Sequence, residues 1–388
     1  MDISVIIVSY NVRYYLRQCL ESIWLSARKS QLEVEVFVVD NHSPDHSVGY
    51  LRASFPPHRY PRLHLISNYQ NVGFGRANNQ ALRKATGRYI LFLNPDTIIT
   101  EQTLSACFHF AEEHPLLGAM GVRMLSSKGA FSFESRRGLP TPWVSFCKMS
   151  GLCSLFPKNR LLGRYYMRYL DEHAAARIDI VSGAFMFCRH DALRLTGGFD
   201  ERFFMYGEDI DLSYRLLLAG FENWYLPTPI LHYKGESTQK GSFKYIHTFY
   251  EAMLIFFKKH YHRASIVLSL PIKTAIIAQA CMALVKQQGK EFLNYLSPSQ
   301  DKQPTEICYY GPEATHAEIL SKCEEWNARI TCLSDVRQPA PERTAVVAYD
   351  AEHYSYSEIL ASLEEKNLSL ATYYPSRHAL ILYNRIYH

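Results

Sequence analysis

Tyr89-Ile90-Leu91-Phe92-Leu93-Asn94-Pro95-Asp96 is a five-residue apolar run that breaks abruptly into a polar turn. Such a run reads as a strand buried on both faces, with polar side chains presented at its carboxyl end. The pattern recurs upstream. Ile3-Ser4-Val5-Ile6-Ile7-Val8 is rich in β-branched residues, Glu35-Val36-Phe37-Val38-Val39 ends in Asp40-Asn41, and His64-Leu65-Ile66 is a third short strand. Helical patterns lie between them. Leu16, Leu20, Ile23 and Trp24 recur at helical spacing behind Asn11, the expected N-cap, and another helix is expected from about Gly75 to Thr86. Strands alternating with helices predict an α/β chain. Its mostly parallel sheet is flanked by helices and binds its ligand along the strand ends.

The chain has 388 residues, enough for two or three domains, and 47% hydrophobic against 20% charged residues excludes disorder, collagen and a polytopic membrane protein. The net charge of +5 is uneven: residues 304–388 hold seven Lys/Arg against twelve Asp/Glu, leaving +10 on the rest. A basic body suits anionic partners such as phosphates or a membrane surface. No zinc-finger spacing or long basic helix supports nucleic acid. Nine scattered cysteines without a C-x-x-C pair read as reduced thiols of a cytosolic protein, and the opening Asp2 and apolar strand are not a signal peptide.

Two basic stretches stand out. Residues 123–177 hold ten Lys/Arg against three Asp/Glu with aromatics interleaved, as in Arg164-Tyr165-Tyr166-Met167-Arg168. They read either as a solvated loop with one surface helix or as a wall that binds an anionic, partly lipidic acceptor. Residues 252–290 hold six Lys/Arg and no acidic residue. Within them Ala264–Val285, roughly 33 Å long as a helix, could lie in a membrane interface, pack under the body or span. Lys273 would cost a spanning helix about 2.5–3.5 kcal/mol, and Pro271 interrupts it. The domains expected are therefore 1–250, a basic and apolar helical segment at 251–296, and a small α/β domain of unassigned role at 304–388.

Several strand-end residues carry chemistry. Asp40 can accept from a nucleobase or ribose, or simply cap its loop. Asn71-Val72-Gly73-Phe74-Gly75-Arg76 is a glycine-bearing turn into a helix, and Arg76 could meet phosphate. Asp96 suits a hard divalent cation on a diphosphate, although Asn94 stands where an Asp-x-Asp pair would have its first carboxylate. Glu208-Asp209-Ile210-Asp211 opens a helix, where carboxylates either cap it or act as a general base. His232 is either structural or a further ligand beside Asp96.

Val8-Ser9-Tyr10-Asn11, Val39-Asp40-Asn41, Asn71-Val72-Gly73-Phe74-Gly75, Leu93-Asn94-Pro95-Asp96, Ser182-Gly183-Ala184, Gly198-Phe199-Asp200-Glu201, Glu208-Asp209-Ile210-Asp211-Leu212 and His232 occur in this order. Over residues 1–250 the chain resembles the family 2 glycosyltransferases of the GT-A fold, in particular their rhamnosyltransferase-like bacterial branch. The resemblance implies inverting transfer of a sugar from a nucleotide diphosphate donor to a saccharide or lipid-diphosphate-linked acceptor, in cell-surface polysaccharide synthesis. It implies Asp209 as base with Glu208 beside it, and Mg²⁺ or Mn²⁺ on Asp96 and His232. Ser9, Tyr10, Asn11, Asp40, Asn71, Gly73, Arg76 and Asn94 would bind the donor, and Gly183, Ala184, Arg164 and Arg168 the acceptor. The expected setting is peripheral attachment to the cytoplasmic face of the inner membrane, through its anionic surface. The alternative is a nucleotide-sugar-binding scaffold without turnover.

Overall fold

The computed structural model describes residues 1–233, 243–261, 305–382 and 386–387. The first half alternates as expected: β1 (Ile3–Ser9), α1 (Arg13–Ser30), β2 (Val34–Asp40), α2 (Ser47–Ser54), β3 (Leu63–Ser67), α3 (Phe74–Leu82) and β4 (Tyr89–Leu93). There follow β5 (Thr97–Ile99), α4 (Thr103–Glu113), β6 (Leu117–Leu125), α5 (Pro142–Met149), α6 (Leu152–Leu155), β7 (Ala176–Arg177), β8 (Phe185–Arg189), α7 (His190–Thr196), α8 (Glu208–Leu218), β9 (Glu222–His232) and α9 (Phe243–His260).

Among the described residues these strands form one sheet in the order β3-β2-β1-β4-β8-β6-β9-β5, with β7 on β9. Strands β1 to β4 are mutually parallel, β8 runs against both β4 and β6, and β9 is parallel to β6. This order puts the carboxyl ends of β1, β2, β4 and β9 and the amino end of β8 at a single sheet edge. The two faces follow the period of two in β1. Ile3, Val5 and Ile7 pack with Leu16, Leu20 and Ile23 of α1, while Ile6 and Val8 pack with Ala77 and Ala81 of α3 and Leu212 and Leu216 of α8.

Two expectations need correction. Asn11 does not cap α1: its φ is 64°, its own N–H donates to Ser43 Oγ (3.0 Å), and the N–H of Arg13 donates to Asp45 Oδ2 (3.1 Å). The cap comes from another loop, which no local sequence pattern announces. The boundary at 250 falls inside α9, and the described part of the 251–296 segment is not a free basic surface. Phe256 and Phe257 are buried against Ile180, Phe203 and Ile210, and Lys259 pairs with Asp200 (2.6 Å) and Asp211 (2.7 Å). Ala264–Val285 lies outside the described residues. No helix among the described residues is long and apolar enough to cross a membrane.

The C-terminal part contains β10 (Thr305–Tyr310), α10 (Glu313–Ser321), β11 (Ala328–Leu333), β12 (Val346–Asp350), α11 (Tyr356–Lys366), β13 (Ser369–Tyr374), β14 (Ala379–Leu382) and β15 (Ile386–Tyr387). They form a second sheet, β11-β10-β12-β13-β14-β15, parallel through β13 and closed by an antiparallel pair. It packs on the first unit through one apolar cluster, in which Val12, Tyr15, Ile98, Leu231 and Tyr233 meet Tyr310, Ile359, Leu363 and Tyr374. The eight described cysteines are all free, six of them buried.

Candidate active site

The sheet edge opens into a cavity of about 440 Å³. On one side the turn after β4 brings Asn94 and Asp96 against His232, the last residue of β9. His232 Nε2 stands 3.4 Å from Asp96 Oδ1 and 3.3 Å from Asn94 Nδ2. Backbone pairing sets this approach: Thr97 of β5 is opposite His232, and the N–H of Tyr233 donates to the Asp96 carbonyl (3.0 Å). The N–H of Asn94 donates to the Ala184 carbonyl (2.9 Å), which draws the start of β8 into the same wall. Behind it, burial pushes the Cys19 thiol up to about 12, so Cys19 stays a neutral packing group against Thr97.

On the other side, Tyr206 (φ 66°) and Gly207 (φ 80°) turn the chain sharply and aim the first turn of α8 at the cavity. Asp209 Oδ2 accepts from the Gly183 N–H (3.0 Å) and from the Arg137 guanidinium, and Oδ1 accepts from the Ile210 N–H (2.8 Å). Gly183 permits this approach, because a Cβ there would stand only 3.3 Å from Asp209 Cβ. Glu208 beside it is also buried, and its Oε2 has no hydrogen-bond partner among the described residues. Burial and the neighbouring Asp209 charge push the Glu208 carboxyl up to about 8. This shift favours the protonated form of Glu208, next to an Asp209 carboxylate that a guanidinium and a backbone N–H hold.

A third wall carries Tyr10, Asn41 and Asn71. Asn41 is its hub: Nδ2 donates to Asn71 Oδ1 (2.9 Å), and Oδ1 accepts from Asn68 Nδ2 and the Val72 N–H (both 3.1 Å). Gly73 lies behind the wall at φ +87°, where a Cβ would sit 2.6 Å from the Phe204 carbonyl. At the ends of β1 and β2, Ser9 Oγ and Asp40 Oδ1 are buried without a hydrogen-bond partner among the described residues, while Asp40 Oδ2 accepts from the Ser43 N–H (3.0 Å). Orphaned acceptors at strand ends fit a nucleotide that brings its own donors.

Of the residues singled out by sequence, Tyr10, Asn71, Asn94, Asp96, Gly183, Ala184, Glu208, Asp209 and His232 share the cavity. Four others point elsewhere. Arg76 pairs with Glu201 (3.1 Å), Arg164 with Asp179 (3.2 Å), and Arg168 stacks over Phe133 at 4.0 Å. Asn11 lines a separate hollow of about 450 Å³ with Asp45 and His46. Sequence reading missed Asn41, Glu134, Arg137, Tyr165 and Tyr166 as lining residues. Arg137 and the two tyrosines lay within the basic, aromatic stretch already noted, but nothing local distinguishes Arg137 from Arg136. Among the described residues no group of three or more metal-ligating side chains occurs. The Asp96–His232 pair fits a cation that takes its remaining ligands from a diphosphate and water.

The cavity lies at this sheet edge between an Asn-Pro-Asp turn and a helix-borne Glu-Asp pair, and the proteins this chain is similar to make it the site of a sugar-transferring enzyme. Residues 4–194 match Glycosyl transferase family 2, so this half of the chain is a family 2 glycosyltransferase domain. The chain is 27% identical over 266 residues to the N-acetylglucosaminyl-diphospho-decaprenol L-rhamnosyltransferase of Mycobacterium tuberculosis, covering 66% of this chain and 83% of that protein. It is 28% identical over 243 residues to rhamnosyltransferase WbbL of Escherichia coli K12, covering 60% of this chain and 83% of that protein. The solved S. aureus TarS 1-349 in complex with UDP-GlcNAc is 22% identical, covering 66% of this chain and 65% of that one, with a TM-score of 0.45.

Proposed function

We propose that the chain moves a sugar, with inversion, from a nucleotide diphosphate donor to a lipid-diphosphate-linked saccharide in cell-surface polysaccharide synthesis. It would work peripherally at the cytoplasmic face of the inner membrane, with the first sheet and helices α1 to α9 carrying the transfer. The observation that carries this reading is the single cavity in which the Asp96–His232 pair and the Arg137-held Asp209 face a common space. The lipid-diphosphate acceptor is supported by the mycobacterial relative, an N-acetylglucosaminyl-diphospho-decaprenol L-rhamnosyltransferase.

In this reading Asp40, Asn71 and Asn41 hold the nucleoside, and Asp96 and His232 hold Mg²⁺ or Mn²⁺. When bound, that cation supplies positive charge against the leaving diphosphate. The acceptor hydroxyl gives its proton to Asp209 as its oxygen bonds to the anomeric carbon, and the bond from that carbon to the diphosphate breaks on the opposite face. One displacement inverts the centre. Arg137 and the Gly183 N–H fix the Asp209 carboxylate, whereas burial raises the Glu208 carboxyl and makes it the poorer candidate for the base.

The test is Asp209→Asn. Transfer should fall by about 10²–10⁴ while nucleotide-sugar affinity stays within a few-fold of wild type. Retention of more than about a tenth of the activity would place the base elsewhere.

A further inference from the structure

The α5–α6 segment has its apolar side turned outward. Helix α5 is properly begun, with Pro142 in its first turn and Thr141 Oγ1 accepting from the Val144 N–H (3.3 Å). Yet Val144, Ser145 and Cys147 face inward, while Trp143, Phe146 (53% exposed) and Met149 face solvent at three-residue spacing. The Trp143 and Phe146 rings stack, with centroids 5.8 Å apart. Helix α6 packs against α5 and continues the surface with Leu155 (71% exposed) and Phe156, followed by Leu161. Fifteen large apolar side chains are exposed among the described residues, and these six fall within nineteen consecutive positions. Scattered exposed apolar residues need no explanation, but a concentration of this kind marks a contact surface.

The charge around this surface selects its partner. From Ser135 to Leu170 there is no Asp or Glu and there are seven Lys/Arg, of which Lys158 and Arg160 are exposed at the edge of the apolar face. A second copy of this chain docking on the same face would bring like charges together. An anionic bilayer would meet both the apolar residues and the basic rim, and Trp with Lys/Arg is the composition that interfacial segments favour. Helix α5 also stands directly behind the cavity wall, where Lys148 Nζ donates to Tyr166 Oη and lies 3.9 Å over its ring.

We propose that the outward face of α5 and α6 is a shallow docking surface for an anionic phospholipid bilayer, which sets the cavity at the height of an acceptor anchored in that bilayer. The bilayer contact rests on the exposed residues themselves. Its use in presenting an acceptor rests on the transfer reading above.

The experiment uses the full chain with vesicles of phosphatidylglycerol and phosphatidylethanolamine, and with phosphatidylcholine vesicles as the neutral comparison. Tryptophan emission should shift to the blue and be quenched by brominated lipid, and Trp143→Phe should abolish both changes, since Trp24, Trp224 and Trp326 are better covered. The triple variant Phe146→Ser, Met149→Ser, Leu155→Ser should bind anionic vesicles about tenfold more weakly or worse. Its thermal midpoint and its transfer to a soluble acceptor should stay unchanged. Lys158→Glu with Arg160→Glu should remove the preference for anionic over neutral vesicles.

Absence of vesicle binding by the wild type would overturn the proposal, as would binding without a Trp143 response or binding unaffected by the triple variant. Self-association of the wild type that the triple variant abolishes would also overturn it, in favour of a second copy as the occupant. Docking that persists in a protein unable to transfer sugar to any acceptor would sink the transfer reading and leave the docking surface standing.

Discussion

At the scale of single residues, the cavity separates two adjacent carboxyl groups by environment. Asp209 is held by a guanidinium and backbone N–H groups, whereas Glu208 is buried with an oxygen that finds no donor. The folded state keeps a proton on Glu208 up to about pH 8, while the unfolded chain releases it near the ordinary glutamate value of 4.5. The folded state therefore binds more protons between these limits, and stability declines as pH rises through that window. Glu208→Gln should accordingly raise the unfolding free energy at pH 7–8 by about 1–3 kcal/mol and show a shrinking gain toward pH 4.5. Thermal melts across pH 4–9 measure this, and a pH-independent gain would remove the titration of Glu208 as its cause. The same variant should keep most transfer activity, unlike Asp209→Asn. The Asp96–His232 pair makes a second claim at this scale. EDTA should stop transfer and Mn²⁺ or Mg²⁺ restore it, with His232→Ala needing about tenfold or more added metal. Full activity in chelator would remove the metal role of both residues.

At the scale of elements, α8 bears the Glu-Asp pair, and its position depends on α9. Asp211, fully buried on α8, accepts from Arg215 Nε (2.7 Å) and pairs with Lys259 and His260 of α9 (both 2.7 Å). Burial would raise its carboxyl, but Arg215, Lys259 and His260 together hold it below the usual carboxylate range. Such a group contributes stability that is present above its unfolded value and lost as pH falls through the folded one. Asp211→Asn should therefore cost about 3–5 kcal/mol at neutral pH, because it takes the counter-ion from Arg215 and His260 and leaves Lys259 with Asp200 alone. Denaturant unfolding at pH 7 and again below pH 4 should show the difference narrowing in acid. An equal loss at both would point to packing instead. The strands β1, β2 and β4 were legible as apolar runs because both faces of each are covered, whereas the edge strand β3 leaves His64 and Ser67 exposed. Lys259 could not be placed from its charge, because a lysine in a basic run looks the same whether it meets lipid or a buried aspartate.

At the scale of the whole molecule, the second sheet covers the first unit close to the cavity. Gln18 of α1 is buried between them, donating through Nε2 to Thr372 Oγ1 (2.6 Å) and Tyr374 Oη (2.9 Å) and accepting from Tyr233 Oη (3.0 Å). Tyr233 directly follows His232, so this contact stands one residue from the Asp96 pair. Arg123 pairs with Glu364 and Arg377 with Glu21 (both 2.5 Å) across the same junction. Ending the chain after residue 304 would expose Val12, Tyr15, Ile98, Leu231 and Tyr233 to water and remove the Gln18 bonds to Thr372 and Tyr374, each contributing about 0.5–1.5 kcal/mol net. The shortened protein should aggregate, or should melt well below the full chain and bind a hydrophobic dye. A soluble form with an unchanged midpoint would show that the junction adds nothing to stability.

The sequence by itself determined the order of strands and helices and the polar groups at the strand ends. Apolar runs and turn residues act locally, and neighbouring strand ends share an edge by topology. Hence Asn94, Asp96 and His232 were legible as strand-end candidates, and Glu208 and Asp209 as carboxylates opening a helix, before any contact was known. Tertiary structure alone decided that the two carboxyl groups differ in their surroundings, since Arg137 reaches Asp209 across 72 positions and the burial of Glu208 depends on what packs around it. It also decided that Arg76, Arg164 and Lys259 spend their charge on Glu201, Asp179 and the Asp200–Asp211 pair and not on a ligand. An ion pair is chosen by proximity in space, and no spacing along the chain encodes that.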